Sequence, residues 1–142
     1  MKLSKTSAHA ALALAFLADQ PAGVVIQARH IATHLGIPTD SALKILQVLA
    51  RQEIIISQLG RTGGYRLHRQ PQEISLAQIV EAIDGPINGS MRLDSRESIA
   101  ASVILLQSVC DQAASRLREE LSRTTVADLV RCKQPNSVAQ SA

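Results

Sequence analysis

The most restrictive pattern in the chain lies between Ile54 and His68. Ile54-Ile55-Ile56-Ser57 and Tyr65-Arg66-Leu67-His68 are short runs rich in β-branched, aromatic or aliphatic side chains. Between them sits Gln58-Leu59-Gly60-Arg61-Thr62-Gly63-Gly64, with three glycines and one arginine. Two strand-like runs joined by a Gly-rich loop predict a β-hairpin. A phosphate-cradling loop would need a following Lys-Ser/Thr pair and a helix opening behind it. Neither follows, so the hairpin reading stands.

What precedes the hairpin gives it a context. Leu3 to Asp19 reads as a helix with Leu12, Phe16 and Ala8 on one face, stopped by Gln20-Pro21-Ala22-Gly23. Val24-Val25-Ile26 is a short apolar stretch leading into a second helix, Ala28–Leu35, broken by Gly36. Pro38-Thr39-Asp40-Ser41 is rich in helix-start residues. Ala42 to Arg51 continues as a third helix, with Leu43, Leu46, Leu49 and Ala50 expected inward. Helix, glycine turn, helix is the spacing of a helix-turn-helix unit, and the hairpin directly after it makes a winged helix. In such a wing the glycines allow close approach to a surface, and Arg61 offers a charge there.

Beyond the hairpin, Ser75–Asp84 predicts a fourth helix with Leu76, Ile79, Val80 and Ile83 inward, stopped by Gly85-Pro86. A polar loop leads to the longest helical stretch, Ser95 to about Arg123. Its apolar positions Ile99, Val103, Leu106, Cys110, Ala113, Leu117 and Leu121 recur at close to 3.5 residues, the period of a helix–helix seam. A helix this long has little of its own chain to pack against, so a second copy is the simplest partner. Thr125 to Val130 makes one last short helix. The expected division is 1–70 as a DNA-binding winged helix-turn-helix, 71–86 as a connecting helix, 87–98 as a loop, 99–131 as a dimerisation helix with a short terminal helix, and 132–142 as a tail. The fold class is therefore mainly α with a small β-hairpin wing.

Charge separates the two halves. Residues 1–70 hold eight Lys and Arg against three acids, a net of +5, while residues 71–142 hold seven against nine, a net of −2. A basic half joined to a slightly acidic one suggests that only the first meets a polyanion. One Phe, one Tyr and no Trp leave little for base stacking, which argues against single-stranded nucleic acid and for duplex DNA. At 142 residues the chain has room for one modest core, which excludes a large multi-domain enzyme. No Ser/His/Asp order or paired carboxylates can be assembled into a catalytic site. The longest apolar run, Ala10 to Ala18, is far short of the roughly 20 residues of a membrane span. No secretory signal is expected, and two cysteines, Cys110 and Cys132, are too few for a disulfide scaffold. The expected setting is the cytoplasm.

Several segments together resemble the Rrf two family of bacterial winged-helix regulators, the group of IscR, NsrR and CymR. They are Arg61-Thr62-Gly63-Gly64-Tyr65-Arg66-Leu67, Ile74-Ser75-Leu76 and Val80-Glu81-Ala82-Ile83-Asp84-Gly85-Pro86. Met1-Lys2-Leu3-Ser4-Lys5, Ile31-Ala32 with Gly36-Ile37, and Thr125-Val126-Ala127-Asp128-Leu129 fit as well. The resemblance implies a dimeric DNA-binding transcription factor, usually a repressor, whose long helix crosses that of its partner. Two departures stand out. Glu53 occupies the place of the glycine that usually ends the recognition helix. Cluster-binding members use three cysteines in the loop after Gly-Pro and the start of the long helix, and here no cysteine lies from Gly85 to Val109. Three thiolates are not replaced by other donors, and Ala8 stands where some members have an acid. No iron–sulfur cluster of the family kind, and no other cofactor or metal, is therefore expected.

In a helix-turn-helix the start of the recognition helix enters the major groove. Thr39, Asp40, Ser41 and Lys44 are the residues expected to face outward there, with Gln47 and Arg51 toward the backbone or groove wall. Arg61 would reach the minor groove or phosphates from the wing, and Arg66, Lys2 and Lys5 read as phosphate-positioning charges. His30 and His34 share a helix face at metal-binding spacing, but two ligands do not make a site, and a pH-sensitive or phosphate-facing surface is the better reading. Cys110 has two readings, a small buried hydrophobe or a redox sensor that meets its counterpart across the dimer. Arg92, Asp94, Arg96 and Glu97 occupy the family's sensing position, and both an anionic small-molecule signal and a plain solvated loop fit them. A different class, a protein-interaction module that docks a partner through the winged helix, is opposed by the basic charge of residues 1–70.

Overall fold

The computed structural model describes residues 1–93 and 100–132. Six helices and one hairpin follow in order: α1 (Lys5–Ala18), α2 (Ala28–Leu35), α3 (Thr39–Arg51), β1 (Ile55–Gln58), β2 (Gly64–Leu67), α4 (Leu76–Asp84), α5 (Ala100–Arg123) and α6 (Val126–Arg131). A short 3-10 turn, Pro71–Glu73, joins the hairpin to α4.

The helix boundaries are set by local chemistry. The Ser4 side chain accepts from the Ser7 N–H at the start of α1, and Ser75 with Gln78 forms a reciprocal capping box on α4. α2 ends where Gly36 turns left-handed (φ 67°), with Ile37 N–H returning to Ala32 and Gly36 N–H to Thr33. α3 ends in the same way without a glycine. Glu53 takes φ 55°, its N–H donates to the Ala50 carbonyl, and the Ile54 N–H donates to the Leu49 carbonyl. These paired bonds are the Schellman closure. The turn that Glu53 put in question is thus the ordinary one, made by a residue with a Cβ.

The core gathers α1, α2, α3, α4, the start of β1 and α6. Leu14, Ile31, Leu46, Leu49, Ile54, Ile74, Ile79 and Val126 are fully enclosed. Each contributes roughly 1.5–3 kcal/mol by leaving water. On α1 the expected face is corrected. Leu12 is 48% exposed, and Phe16 and Ala8 are half-buried. The buried face runs through Ser7, Ala10, Ala11, Leu14 and Leu17, where small residues let the other helices approach closely. On α3 the inward residues are Ala42, Ile45, Leu46 and Leu49, while Leu43 and Ala50 are only half-buried. The inward stripe thus lies one position earlier than expected, and the helix itself begins at Thr39.

The hairpin pairs Ile55 with Leu67, Ile56 with Arg66, Ser57 with Tyr65 and Gln58 with Gly64. Each strand thus lies one residue from its expected span. Ile26 joins as a bridge to Tyr65, with N–H to carbonyl distances of 2.9 and 2.8 Å. A Cβ on Gly63 would overlap the Gln58 carbonyl oxygen, and one on Gly64 would overlap that of Ile26. Both glycines are therefore required by close backbone approach.

The C-terminal end returns to this core. Leu76 N–H donates to the Thr124 carbonyl and Val126 N–H to that of Ile74, each at 2.9 Å. α6 packs on α1 and on the 3-10 turn. α5 leaves and re-enters the body, tied to α4 by the Arg118–Glu81 pair at 2.9 Å.

Candidate nucleic-acid interface

Thr39, Asp40, Ser41, Lys44, Gln47 and Arg51 are all exposed, as expected for the outer face of α3. They are positioned by the inward stripe on the opposite side of that helix and by the Glu53 turn behind it. Pro38, before the first turn, has no side-chain acceptor, so the first amides of α3 are left uncapped and point away from the helix body.

Two shared clefts connect α3 to its neighbours. Lys5 and His9 of α1 line one cleft together with Ser41 and Lys44 of α3. Gln47 and Arg51 line another with Ser57 of β1 and Tyr65 of β2. One cleft thus borders α3 on the side of α1 and the other on the side of the hairpin. Arg61 sits exposed at the wing tip, and its carbonyl accepts from the Gln27 side chain of the α2 start at 3.3 Å. Arg66 is exposed on β2, and Lys2 precedes α1.

Charge sharpens the picture. Lys2, Lys5, Lys44, Arg51, Arg61 and Arg66 are exposed, and among the described residues none forms an ion pair. The ion pairs present all lie between Glu81 and Arg131. The basic half holds its charge free for an outside partner, while the other half neutralises its own.

The N-terminal lysines are held by a contact that sequence spacing does not reveal. Asp84, at the end of α4, accepts from Ser7 Oγ at 2.7 Å and from Ser4 Oγ at 2.9 Å. Ser7 is buried, so this pairing satisfies a hydroxyl inside the core and fixes the start of α1.

The seam residues of the long helix divide between two faces. Val103, Cys110, Leu117 and Leu121 are half-buried on the side of α5 turned to its own chain, whereas Leu106 and Ala113 are exposed. Ile99 lies outside the described residues. The outward side adds Leu105 at 65% and Val109 at 55% exposure, which the 3.5-residue stripe omitted. Gly89 is pressed against the α5 backbone at Cys110-Asp111, and Gln107 Nε2 donates to the Gly89 carbonyl at 2.8 Å. Cys110 is therefore half-covered by this strap, and Cys132 is exposed. Of the sensing-position residues, Arg92 is exposed, and Asp94, Arg96 and Glu97 lie outside the described residues.

His30 and His34 are both exposed, and His34 stacks on Phe16 with ring centroids 4.0 Å apart. That stacking gives His34 a packing role which its spacing to His30 did not suggest. Among the described residues no three His, Cys, Asp or Glu side chains gather to hold a metal ion, and no helix is long and apolar enough to cross a membrane.

Comparison with known proteins agrees with this architecture. Residues 3–132 match the family Rrf2, described as iron-dependent transcriptional regulator. The chain belongs to the Rrf2 family. It is accordingly a DNA-binding transcriptional regulator and not an enzyme. The provisionally named HTH-type transcriptional regulator Rv1287 of Mycobacterium tuberculosis is 31% identical over 143 residues, covering 100% of this chain and 89% of the relative. The HTH-type transcriptional regulator NsrR of Bacillus subtilis is 25% identical, over 94% of this chain and 93% of that protein. Among solved structures, the global cysteine regulator CymR of B. subtilis superposes with a TM-score of 0.73 at 20% identity, covering 94% and 99% of the two chains. IscR of T. potens gives 0.70 at 24% identity, covering 99% and 93%. These two establish the winged-helix fold with its long helix. The iron dependence in the Rrf2 description meets a poor donor set here. No thiol lies from Gly85 to Val109, and the chain's two thiols are Cys110 on α5 and Cys132 just after α6. The residues present do not fit a three-thiolate cluster.

Proposed function

We propose that this Rrf2 protein acts as a cytoplasmic homodimer that represses transcription by binding an inverted-repeat operator, without an iron–sulfur cluster of the family kind. The observation that carries the reading is the set of exposed cations on α1, α3 and the wing, Lys5, Lys44, Arg51, Arg61 and Arg66, which form no ion pair among the described residues. Thr39, Asp40, Ser41, Lys44 and Gln47 read base edges in the major groove. Arg61 enters the minor groove from the wing, and Lys2, Lys5, Arg51 and Arg66 set the register on phosphates. The second copy docks along α5, where Leu105, Leu106 and Val109 are left uncovered. The two recognition helices then address half-sites about 34 Å apart, one turn of duplex.

The test combines selection of duplex from genomic fragments with sedimentation of the protein. Expected are a dimer at micromolar concentration, a footprint of two half-sites, and affinity that falls steeply with salt as phosphate contacts require. Arg61→Ala should reduce the slope of log affinity against log salt by about two, one for each copy in the dimer. A monomer, or binding indifferent to salt, would overturn the proposal.

A further inference from the structure

The cleft between the start of α1 and the recognition helix has features that DNA contact does not use. It encloses about 470 Å³, within the range of small-molecule sites. Ile37, Ile45, Val48 and Ile83 line it with apolar surface. Lys5, His9 and Lys44 supply polar and cationic groups, and no carboxylate lines it. Ser41, from the uncapped first turn of α3, adds a hydroxyl at the same cleft. A bare phosphate needs no apolar wall, and an uncharged hydrocarbon needs no paired lysines. Only a ligand with an apolar body and a negative head satisfies both.

We propose that this cleft binds a small apolar carboxylate, its hydrocarbon part against Ile37, Val48 and Ile83 and its charge between Lys5 and Lys44. The inference rests on the regulatory reading for its consequence. Lys5, Ser41 and Lys44 belong to the DNA surface, so an occupied cleft withdraws them from the duplex, and carboxylate and DNA compete.

Hexanoate serves as the probe, with 1-hexanol as its uncharged match and inorganic phosphate as the bare anion, all at one ionic strength. Titration of isotope-labelled protein, followed by backbone amide shifts, reads the site without DNA. Hexanoate should shift amides around Lys5, Ile37, Lys44 and Val48 and bind at least tenfold more tightly than 1-hexanol or phosphate. Val48→Phe and Thr6→Phe, which narrow the cleft from α3 and from α1 while keeping every charge, should each weaken hexanoate at least tenfold. Melting curves show which variant keeps the fold. In a duplex-binding assay, hexanoate should weaken DNA binding by the wild type and leave the variants unaffected. No shifts at the cleft, or equal binding of hexanoate and 1-hexanol, overturns the site. Bound hexanoate with unchanged duplex affinity overturns the competition. Loss of duplex binding with hexanoate binding retained would instead count against the regulatory reading alone.

Discussion

Glu53 spends backbone energy to close the recognition helix. A left-handed conformation costs a residue with a Cβ about 1 kcal/mol, and Glu53 holds one at φ 55°. Glu53→Gly should raise stability in urea unfolding by ~0.5–1 kcal/mol with DNA binding retained; a loss of stability would mean the glutamate makes a compensating contact. Sequence flagged this position as a departure and could not say that the turn tolerates it, because the conformation is imposed by Leu49 and Ile54 packing from either side. Asp128 offers a second test. Bonds from the Thr125 N–H, the Arg131 guanidinium and the Thr125 hydroxyl hold its carboxyl below the ordinary 3.8. A folded value below the unfolded one contributes stability that is present above pH 3.8 and is lost as pH falls through the lowered value. The Asp128→Asn variant should therefore show a shallower acid limb than wild type in melting curves taken from neutral pH downward. Coincident curves would show that the α6 cap carries no such linkage.

Among the elements, the hairpin was the most legible in sequence and is the most exacting in structure. Its glycines and flanking β-branched residues mark it plainly, yet the bridge to Ile26 joins residues 39 positions apart and has no local signature. Gly64→Ala would force apart the Ile26 and Tyr65 backbones, so it should destabilise by about 1–3 kcal/mol and weaken duplex binding. A variant with wild-type stability and affinity would show the bridge to be dispensable. α1 shows the opposite case. Its buried face sets Ser7, Ala10 and Ala11 beside Leu14 and Leu17, so hydrophobicity pointed to Leu12 and Phe16, while close helix packing selects the small residues. In α5 the 3.5-residue stripe was real but mixed two duties. Half of it faces the chain's own α4, and the outward half continues through Leu105 and Val109. Period alone cannot separate a face used within a chain from one used between copies.

For the whole molecule, assembly is the property to measure. Leu105→Glu with Val109→Glu places two charges on the uncovered side of α5, where burial of an unpaired charge is prohibitive. The double variant should sediment as a monomer, keep its helical spectrum, and bind a full operator at least tenfold more weakly. A dimer that persists would place the interface elsewhere. The lack of cysteine from Gly85 to Val109 was readable in the sequence, and the basic half from charge counting. The Asp84 clasp on Ser4 and Ser7 was not, since 77 and 80 residues separate the partners and only the fold brings them together.

The return of Val126 to the core bears on how the protein is made. During synthesis the winged-helix segments emerge first, but Ile74 lacks its partner strand and the core lacks Val126 until the chain has passed α5. By the time Val126 reaches the core, α5 has already been translated. A nascent chain stalled short of α6 would present an unfinished core together with a basic surface. Completion of the core and translation of α5 are thereby timed together by chain order alone.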